Sequence, residues 1–451
     1  MGYPDSMYSP WAHQREAMAF LKNRDKSACF ADMGTGKTKI SVDRLTDKGY
    51  KKTLVLCPRK AIRVWEQEFK KHSYLYNNDD LVLSASKEGN SIQQATNHYE
   101  ILKNNDRTVI ITNYAMLYQD PMWDFLSYVD FDHIILDESH RIKSNDSQAS
   151  FKLFRLGRNC PDKLILTGTP MDKPHDIWAQ FRFMDHKILG CSWSDFKQKY
   201  CVETGSGVRK KITSYKNLDE LYEIINKNCY SISSDVLDLP DLVEIDKFAV
   251  MNKDAKKAYK DIDSKLSAVC RNSSDSAKNN AENKIRSLCM KARRLASGFK
   301  NDKLVFNHKM ELLEETIEEI PDKDNIIIFA YFHNEMDKIK ECLNKKGFIC
   351  GEISGREDDR EGFESGELDA LVVQIQAGSE ALNCLTRARW GIFFAPTYSY
   401  LQYAQARKRL HRPGQKNTVR LIRLITENSI EEKMIRIIQE KLSLAAYLLD
   451  K

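Results

Sequence analysis

Short apolar runs recur along the chain, separated by polar or amphipathic segments. This is the grammar of parallel strands whose two faces are covered by the helices connecting them. In the first half the pattern predicts strands at 27–30, 53–57, 109–112, 133–136 and 163–167. In the second half it predicts them at 325–330, 348–353, 370–373, 390–394 and 419–425. From 185 to 323 the strand rhythm lapses and Lys, Asn, Ser and Glu dominate; 218–229 and 253–266 read as helices, with a polar loop at 272–280. A final helix or helix pair is predicted over 429–449. The expected fold class is therefore α/β, with two parallel-sheet lobes at 1–184 and 301–451 around a mainly helical region at 185–300.

Composition adds limits to this picture. A chain of 451 residues is too long for most single cores, which agrees with more than one domain. With 42% hydrophobic and 30% charged residues it reads as soluble and globular. Its 70 basic and 64 acidic residues give a net charge of +6, which mildly suits a polyanionic partner and equally suits an ordinary solvated surface. A basic run containing Lys284, Arg286, Lys291, Arg293 and Arg294 has the same two readings. The 11 cysteines form no close C-x-x-C pair, so neither a zinc ribbon nor a disulfide framework is indicated. Neither a signal-like start nor an apolar run of spanning length is present, and a cytoplasmic protein is expected, with no membrane partner.

Two segments carry chemistry. Ala31-Asp32-Met33-Gly34-Thr35-Gly36-Lys37-Thr38 follows an apolar strand. Glycines let a backbone curl around phosphate oxygens, Lys37 supplies a mobile positive charge, and Thr38 offers a hydroxyl to an accompanying magnesium ion. Ile134-Ile135-Leu136 leads into Asp137-Glu138-Ser139-His140, so the acidic pair stands at the end of a buried strand. There Asp137 can hold the metal and Glu138 can polarise water, needing placement more than a large pKa shift. The pairing implies binding and hydrolysis of a nucleoside triphosphate.

Further segments extend this reading to a family. With Leu166-Thr167-Gly168-Thr169-Pro170-Met171 and Gln405-Ala406-Arg407-Lys408-Arg409-Leu410-His411-Arg412-Pro413-Gly414-Gln415 in view, the chain resembles the SNF2-like branch of superfamily 2 helicases and translocases from about Trp11 to Gln415. The resemblance implies two RecA-like lobes with ATP at their cleft, magnesium as cofactor and duplex DNA as partner, forked or branched shapes included. The implied activity is DNA-stimulated ATP hydrolysis coupled to movement along the duplex, and a monomeric motor is plausible. Gln14 matches the adenine-recognition glutamine, with Trp11 as its packing platform. Gly34, Gly36, Lys37 and Thr38 match the phosphate loop, which carries Ala31, Asp32 and Thr35 in place of the family's usual residues with Thr35 still expected on the nucleotide, and Thr38 and Asp137 match the metal site. Glu138 matches the water-activating residue, and His140 would link the site to its neighbours.

In the second lobe, Gln405 matches a nucleotide-side glutamine, while Arg409 and Arg412 are spaced to share one helical face, with Arg412 the better arginine finger. For the DNA side the resemblance points to Lys60, Thr112 and Asn113 in motifs Ia and Ib, and to His333, Ser354 and Gly355 in lobe 2. Trp65 reads as a core anchor of its helix. The chain departs from the family at Asp172, at Asp176-Ile177-Trp178, and at Ser379, Glu380 and Ala381 in motif V, which leaves coupling less constrained than ATP binding. Two rivals stay open: a strand-separating or fork-remodelling helicase, and an ATP-controlled DNA-binding scaffold.

Overall fold

The computed structural model describes residues 9–73, 82–84, 99–205, 211–237, 239–272, 278–300, 302–321, 324–376 and 384–449. The chain divides into two compact units. One is Met1–Leu237 together with Leu444–Lys451, and the other is Asp238–Ser443.

The first unit is built on strands β1 (Lys26–Ala31), β2 (Lys52–Cys57), β3 (Val82–Ser84), β4 (Thr108–Asn113), β5 (His133–Asp137) and β6 (Asp162–Thr167), with a separate antiparallel hairpin of β7 (Cys201–Thr204) and β8 (Lys211–Tyr215), and with β9 (Cys229–Ile232). Seven of these form one parallel sheet in the order β3-β4-β2-β5-β6-β1-β9. Alternation explains why it is covered twice. Ala28, Phe30, Leu54, Leu56, Ile134 and Leu136 pack into one core, whereas their neighbours Cys29, Ala31, Val55, Cys57 and Ile135 pack into the other. Helices α1 (Ala12–Lys22), α2 (Lys37–Lys48) and α3 (Ile62–His72) supply Ala17, Ile40, Leu45, Trp65 and Phe69 to the second core.

The second unit contains β10 (Leu242–Ala249), a short hairpin of β11 (Phe299–Lys300) and β12 (Lys303–Leu304), then β13 (Ile326–Ala330), β14 (Cys350–Ile353), β15 (Ala370–Gln374), β16 (Trp390–Phe393) and β17 (Val419–Thr426). Its parallel sheet runs β10-β17-β16-β13-β15-β14. Two parallel-sheet, RecA-like lobes are thus present.

The region expected to be one helical insertion at 185–300 is shared between the lobes. It contains helices Trp193–Tyr200, Leu218–Asn228, Lys253–Asn272 and Lys278–Ala296, but β9 closes the edge of the first sheet and β10 the edge of the second. Neither edge strand stands out in sequence. β9 has only four residues, and β10 interleaves Glu244, Asp246 and Lys247 with its apolar positions because only one of its edges is paired.

Candidate nucleotide site and nucleic-acid side

Parallel pairing brings the chemical segments of the first unit to one edge of its sheet. β1 lies beside β6 with Phe30 opposite Thr167, β6 beside β5 with Leu166 opposite Asp137, and β2 between β5 and β4 with Cys57 opposite Asn113. The phosphate loop, the Asp137-Glu138 pair, the Thr167 turn and the segments after β2 and β4 therefore all leave from carboxyl ends of neighbouring strands, where ligands of open α/β sheets bind.

The phosphate loop joins β1 to α2. Gly34 and Gly36 have φ of +87° and +84°, a left-handed backbone that glycine adopts without a Cβ clash. A Cβ on Gly36 would lie 2.1 Å from Gln14 Nε2. Gln14 is buried; its Nε2 donates to the Thr35 carbonyl at 3.1 Å and its Oε1 accepts from the Trp11 amide at 2.9 Å. The Thr35 hydroxyl donates to the Asp32 carbonyl at 2.7 Å, closing the loop on itself. Lys37 Nζ donates to the Ala31 carbonyl at 2.7 Å, beside the amino end of α2, where unpaired amides and the helix dipole favour an anion. Thr38 follows it, half-buried.

Asp137 is held from three directions. Its Oδ2 accepts from Trp65 Nε1 at 2.9 Å, its Oδ1 from the Glu138 amide at 3.0 Å, and its carbonyl from the Tyr114 hydroxyl at 2.8 Å. All these donors are neutral. Burial, followed by the nearby Glu138 charge, raises the Asp137 carboxyl to about 6, against the opposing pull of the Trp65 hydrogen bond and the Lys37 charge. No cation pairs with this buried carboxylate among the described residues, and together with the Thr38 hydroxyl it is a hard-oxygen donor set that fits magnesium.

Glu138 occupies the left-handed region at φ +53°, a conformation costly for a side chain larger than glycine and often concentrated at functional sites. Its Oε2 lies 3.3 Å from both His140 Nδ1 and the Thr167 hydroxyl, and His140 and Thr167 meet at 3.0 Å. Ser139 donates to Gln180 Oε1 at 2.7 Å, and Gln180 Nε2 donates to the Pro170 carbonyl at 2.6 Å. The unusual Asp172 pairs with Lys143 at 2.6 Å, and Asp176 accepts the Asp172 and Lys173 amides. The departures from the family pattern thus brace one strand-end turn against the other.

In the second unit, helix Tyr400–Leu410 carries buried Gln405 and half-buried Arg409. Arg412 is not on that helix. His411 is its C-cap, and Pro413 and Gly414, the latter at φ +101°, turn the chain away, so Arg409 and Arg412 do not share a helical face. Gln415 secures this turn by donating to the Thr386 and Ala388 carbonyls at 3.0 and 2.9 Å. His411 Nε2 lies 2.6 Å from the Pro240 carbonyl oxygen, and Arg407 pairs with Glu244 of β10 at 2.9 Å.

Residues 13–301 match the SNF2-related domain and residues 308–414 the helicase conserved C-terminal domain. The chain belongs to the SNF2-related family. Membership implies an ATP-binding, ATP-hydrolysing enzyme. The ISWI chromatin-remodeling complex ATPase ISW2 of Saccharomyces cerevisiae is 26% identical over 94% of this chain and 39% of its own length. An uncharacterized ATP-dependent helicase, MG018, of Mycoplasma genitalium is 25% identical over 95% of this chain and 41% of its own length. The chain therefore spans well under two thirds of these relatives. Among solved structures, the Sulfolobus solfataricus SWI2/SNF2 ATPase core in complex with dsDNA aligns at 23% identity and a TM-score of 0.45, covering 97% of this chain and 92% of that one.

Within this SNF2-related chain, Gln14, Gly34, Thr35, Gly36, Lys37, Thr38, Asp137 and Glu138 all belong to the first unit, at or beside its strand-end edge. The DNA-side expectations fare differently. Thr112 is buried in β4, and buried Asn113 accepts the Ala115 amide as the cap of turn Tyr114–Tyr118, so both side chains are turned away from solvent in this structure. Lys60 lies in turn Arg59–Ala61, with its side chain outside the described residues. His333 is exposed at the start of helix His333–Lys345, Gly355 is exposed, and half-buried Ser354 donates its hydroxyl to Glu352. Ser379, Glu380 and Ala381 lie outside the described residues. Trp11 is 47% exposed, with its ring 5.4 Å from that of His13, and Trp65 is a core anchor that also binds Asp137. Gln180, Tyr114 and Glu244 carry no local signal of their roles, since each acts on a residue brought near only by the sheet.

Proposed function

We propose that the chain is a DNA-stimulated, magnesium-dependent ATPase that moves along duplex DNA and remodels DNA or protein–DNA complexes without extensive strand separation. The observation that carries this reading is a complete phosphate-loop and Glu138–His140–Thr167 arrangement in one lobe, accompanied by a second parallel-sheet lobe bearing Arg409 and Arg412. A simple nucleotide kinase leaves that second lobe unexplained. The presence of a chromatin-remodeling complex ATPase and an ATP-dependent helicase among the relatives supports a nucleic-acid track.

In this mechanism Lys37 exchanges the Ala31 carbonyl for phosphate oxygens. Thr38 and Asp137 would hold magnesium, which would supply neutralisation of charge on the phosphates. Glu138 orients and deprotonates the attacking water, and His140 and Thr167 fix its carboxylate. Arg409 and Arg412 are the second lobe's candidates for neutralising charge on the transferred phosphoryl, which would link turnover to the grip on the DNA backbone. Exposed amides and side chains of the segments after β2 and β4 contact phosphates without reading bases.

Phosphate release measured without nucleic acid and with duplex, single-stranded, forked and four-way DNA tests this reading. The largest stimulation is expected on duplex. Displacement of a triplex strand with little opening of a long blunt duplex supports translocation, whereas robust ATP-dependent separation of that duplex assigns the chain to strand-separating helicases. ATP binding with no phosphate release on any DNA would leave only the scaffold.

A further inference from the structure

Two aromatic donors reach Asp137 from the two segments that follow β2 and β4. α3 begins directly after turn Arg59–Ala61, and Trp65, at its fourth position, is 1% exposed and packed 6.1 Å from Phe69. Its indole N–H donates to Asp137 Oδ2 at 2.9 Å. Tyr114 follows Asn113, whose cap fixes the start of its turn, and its hydroxyl donates to the Asp137 carbonyl at 2.8 Å. A tryptophan serving only to fill the core would need no particular acceptor beyond one that satisfies its N–H. Here both acceptors belong to Asp137, whose carboxylate feels the charge of Lys37 in the phosphate loop, and the two donors come from separate strand ends that our functional reading places on the DNA side.

We propose that Trp65 and Tyr114 are positioning residues that set the orientation of Asp137 toward magnesium–ATP, so that displacement of the segments after β2 and β4 by DNA alters the metal affinity of the site. The inference rests on the ATPase reading above. Trp65 leaves one lone-pair direction of Oδ2 open, and the Glu138 amide does the same for Oδ1, so the carboxylate is oriented without being neutralised. Tyr114 fixes the peptide that carries it. Rotation of α3 is transmitted to the carboxylate through the Trp65 hydrogen bond, and a shift of the turn after Asn113 is transmitted to the Asp137 peptide through the Tyr114 hydrogen bond.

Magnesium titrations of fluorescent ATP-analogue binding to the full chain, with and without duplex DNA, test this in W65F and Y114F, alone and combined with D137N. W65F keeps most of the ring volume and removes the donor. Outer-shell partners of metal ligands commonly contribute 10–100-fold to affinity, so W65F is expected to raise the half-saturating magnesium concentration by about 10-fold or more. Y114F should shift it in the same direction by less. In the D137N background W65F should add no further shift, because the group through which it acts is gone. Duplex DNA is expected to lower the half-saturating magnesium in the wild type and to lose that effect in W65F.

A W65F protein with wild-type magnesium dependence overturns the inference, as does an equal shift in the D137N background, which marks a general packing defect. A duplex effect that is absent from the wild type, or equal in wild type and W65F, overturns the coupling. If W65F does not fold, Y114F decides by the same readings. Failure of the wild type to bind nucleotide in magnesium sinks the ATPase reading itself; normal wild-type binding matched by W65F sinks this inference alone.

Discussion

Lys37 holds its ammonium against the Ala31 carbonyl, so triphosphate binding must replace that hydrogen bond with contacts to phosphate. K37A is expected to abolish productive ATP use by removing the only mobile charge of the loop. E138Q retains the shape of the side chain but cannot take a proton; phosphate release should fall by about 10²–10⁴-fold while nucleotide binding persists. Paired binding and single-turnover assays check both, and near-normal turnover in E138Q removes Glu138 from the role of base. R412A should likewise bind ATP but lose about 10³-fold or more in hydrolysis, the scale on which an arginine finger acts. Normal single-turnover hydrolysis by R412A would pass that role to Arg409.

At the level of elements, the turn into α2 depends on Gly36. Alanine there meets both a left-handed φ of +84° and the Gln14 amide, so G36A is expected to destabilise the first unit by about 1–2 kcal/mol and to weaken nucleotide binding. Urea unfolding and nucleotide titration would reveal it. The opposite ends of β5 and β6 are tied to α2 by a buried cluster in which Arg44 grips both Asp162 oxygens at 2.8 Å, His133 Nδ1 lies 2.8 Å from Asp162 Oδ1, and Tyr50 stacks on the His133 ring. Burial works against the charged Asp162, yet His133 and Arg44 hold its carboxyl down at about 2. Burial also lowers the His133 pKa, so we assign the pairing charge to Arg44 and treat His133 as a neutral hydrogen-bond partner.

The two shifts act in one direction. A depressed Asp162 contributes stability above its unfolded pKa near 4, and this is lost as pH falls toward 2; a histidine kept neutral loses stability as pH falls through its unfolded value near 6.5. Stability of the first unit should therefore decline from about pH 6.5 downward. D162N, which strands the Arg44 charge, should cost about 3–5 kcal/mol at neutral pH and flatten the acid limb of the profile. Denaturation midpoints across a pH series test this, and an unchanged acid limb in D162N would assign the loss to other groups.

For the whole molecule, a track gripped through its phosphates makes affinity strongly dependent on salt and weakly dependent on base sequence. Each neutralised phosphate contributes about −0.9 to the slope of log K against log salt on duplex DNA and about −0.7 on single strands. ATPase stimulation should accordingly need more duplex as salt rises, with a steeper slope than for a single strand of equal length. Equal stimulation by RNA, or a strict sequence requirement, would count against duplex DNA as the track.

Local patterns in the chain determined the ten strands first expected, the glycine-lysine loop, the Asp137-Glu138 pair and the arginine segment, because each depends on residue periodicity or on a spacing of a few positions. They did not reveal β9 or β10, since an edge strand is defined by the neighbour it pairs with and needs no continuous apolar run. The burial of Thr112 and Asn113 was likewise decided by the sheet, which turns every side chain of β4 inward between two helical layers. Arg412 left its expected face because Pro413 and Gly414 ended the helix before it. The contacts that orient the acidic site, Trp65 and Tyr114 on Asp137 and Ser139 on Gln180, span 72, 23 and 41 residues. Only parallel pairing of β2, β4, β5 and β6 brings those positions together, and a hydrogen bond between strand ends leaves no periodic trace in the chain that forms it.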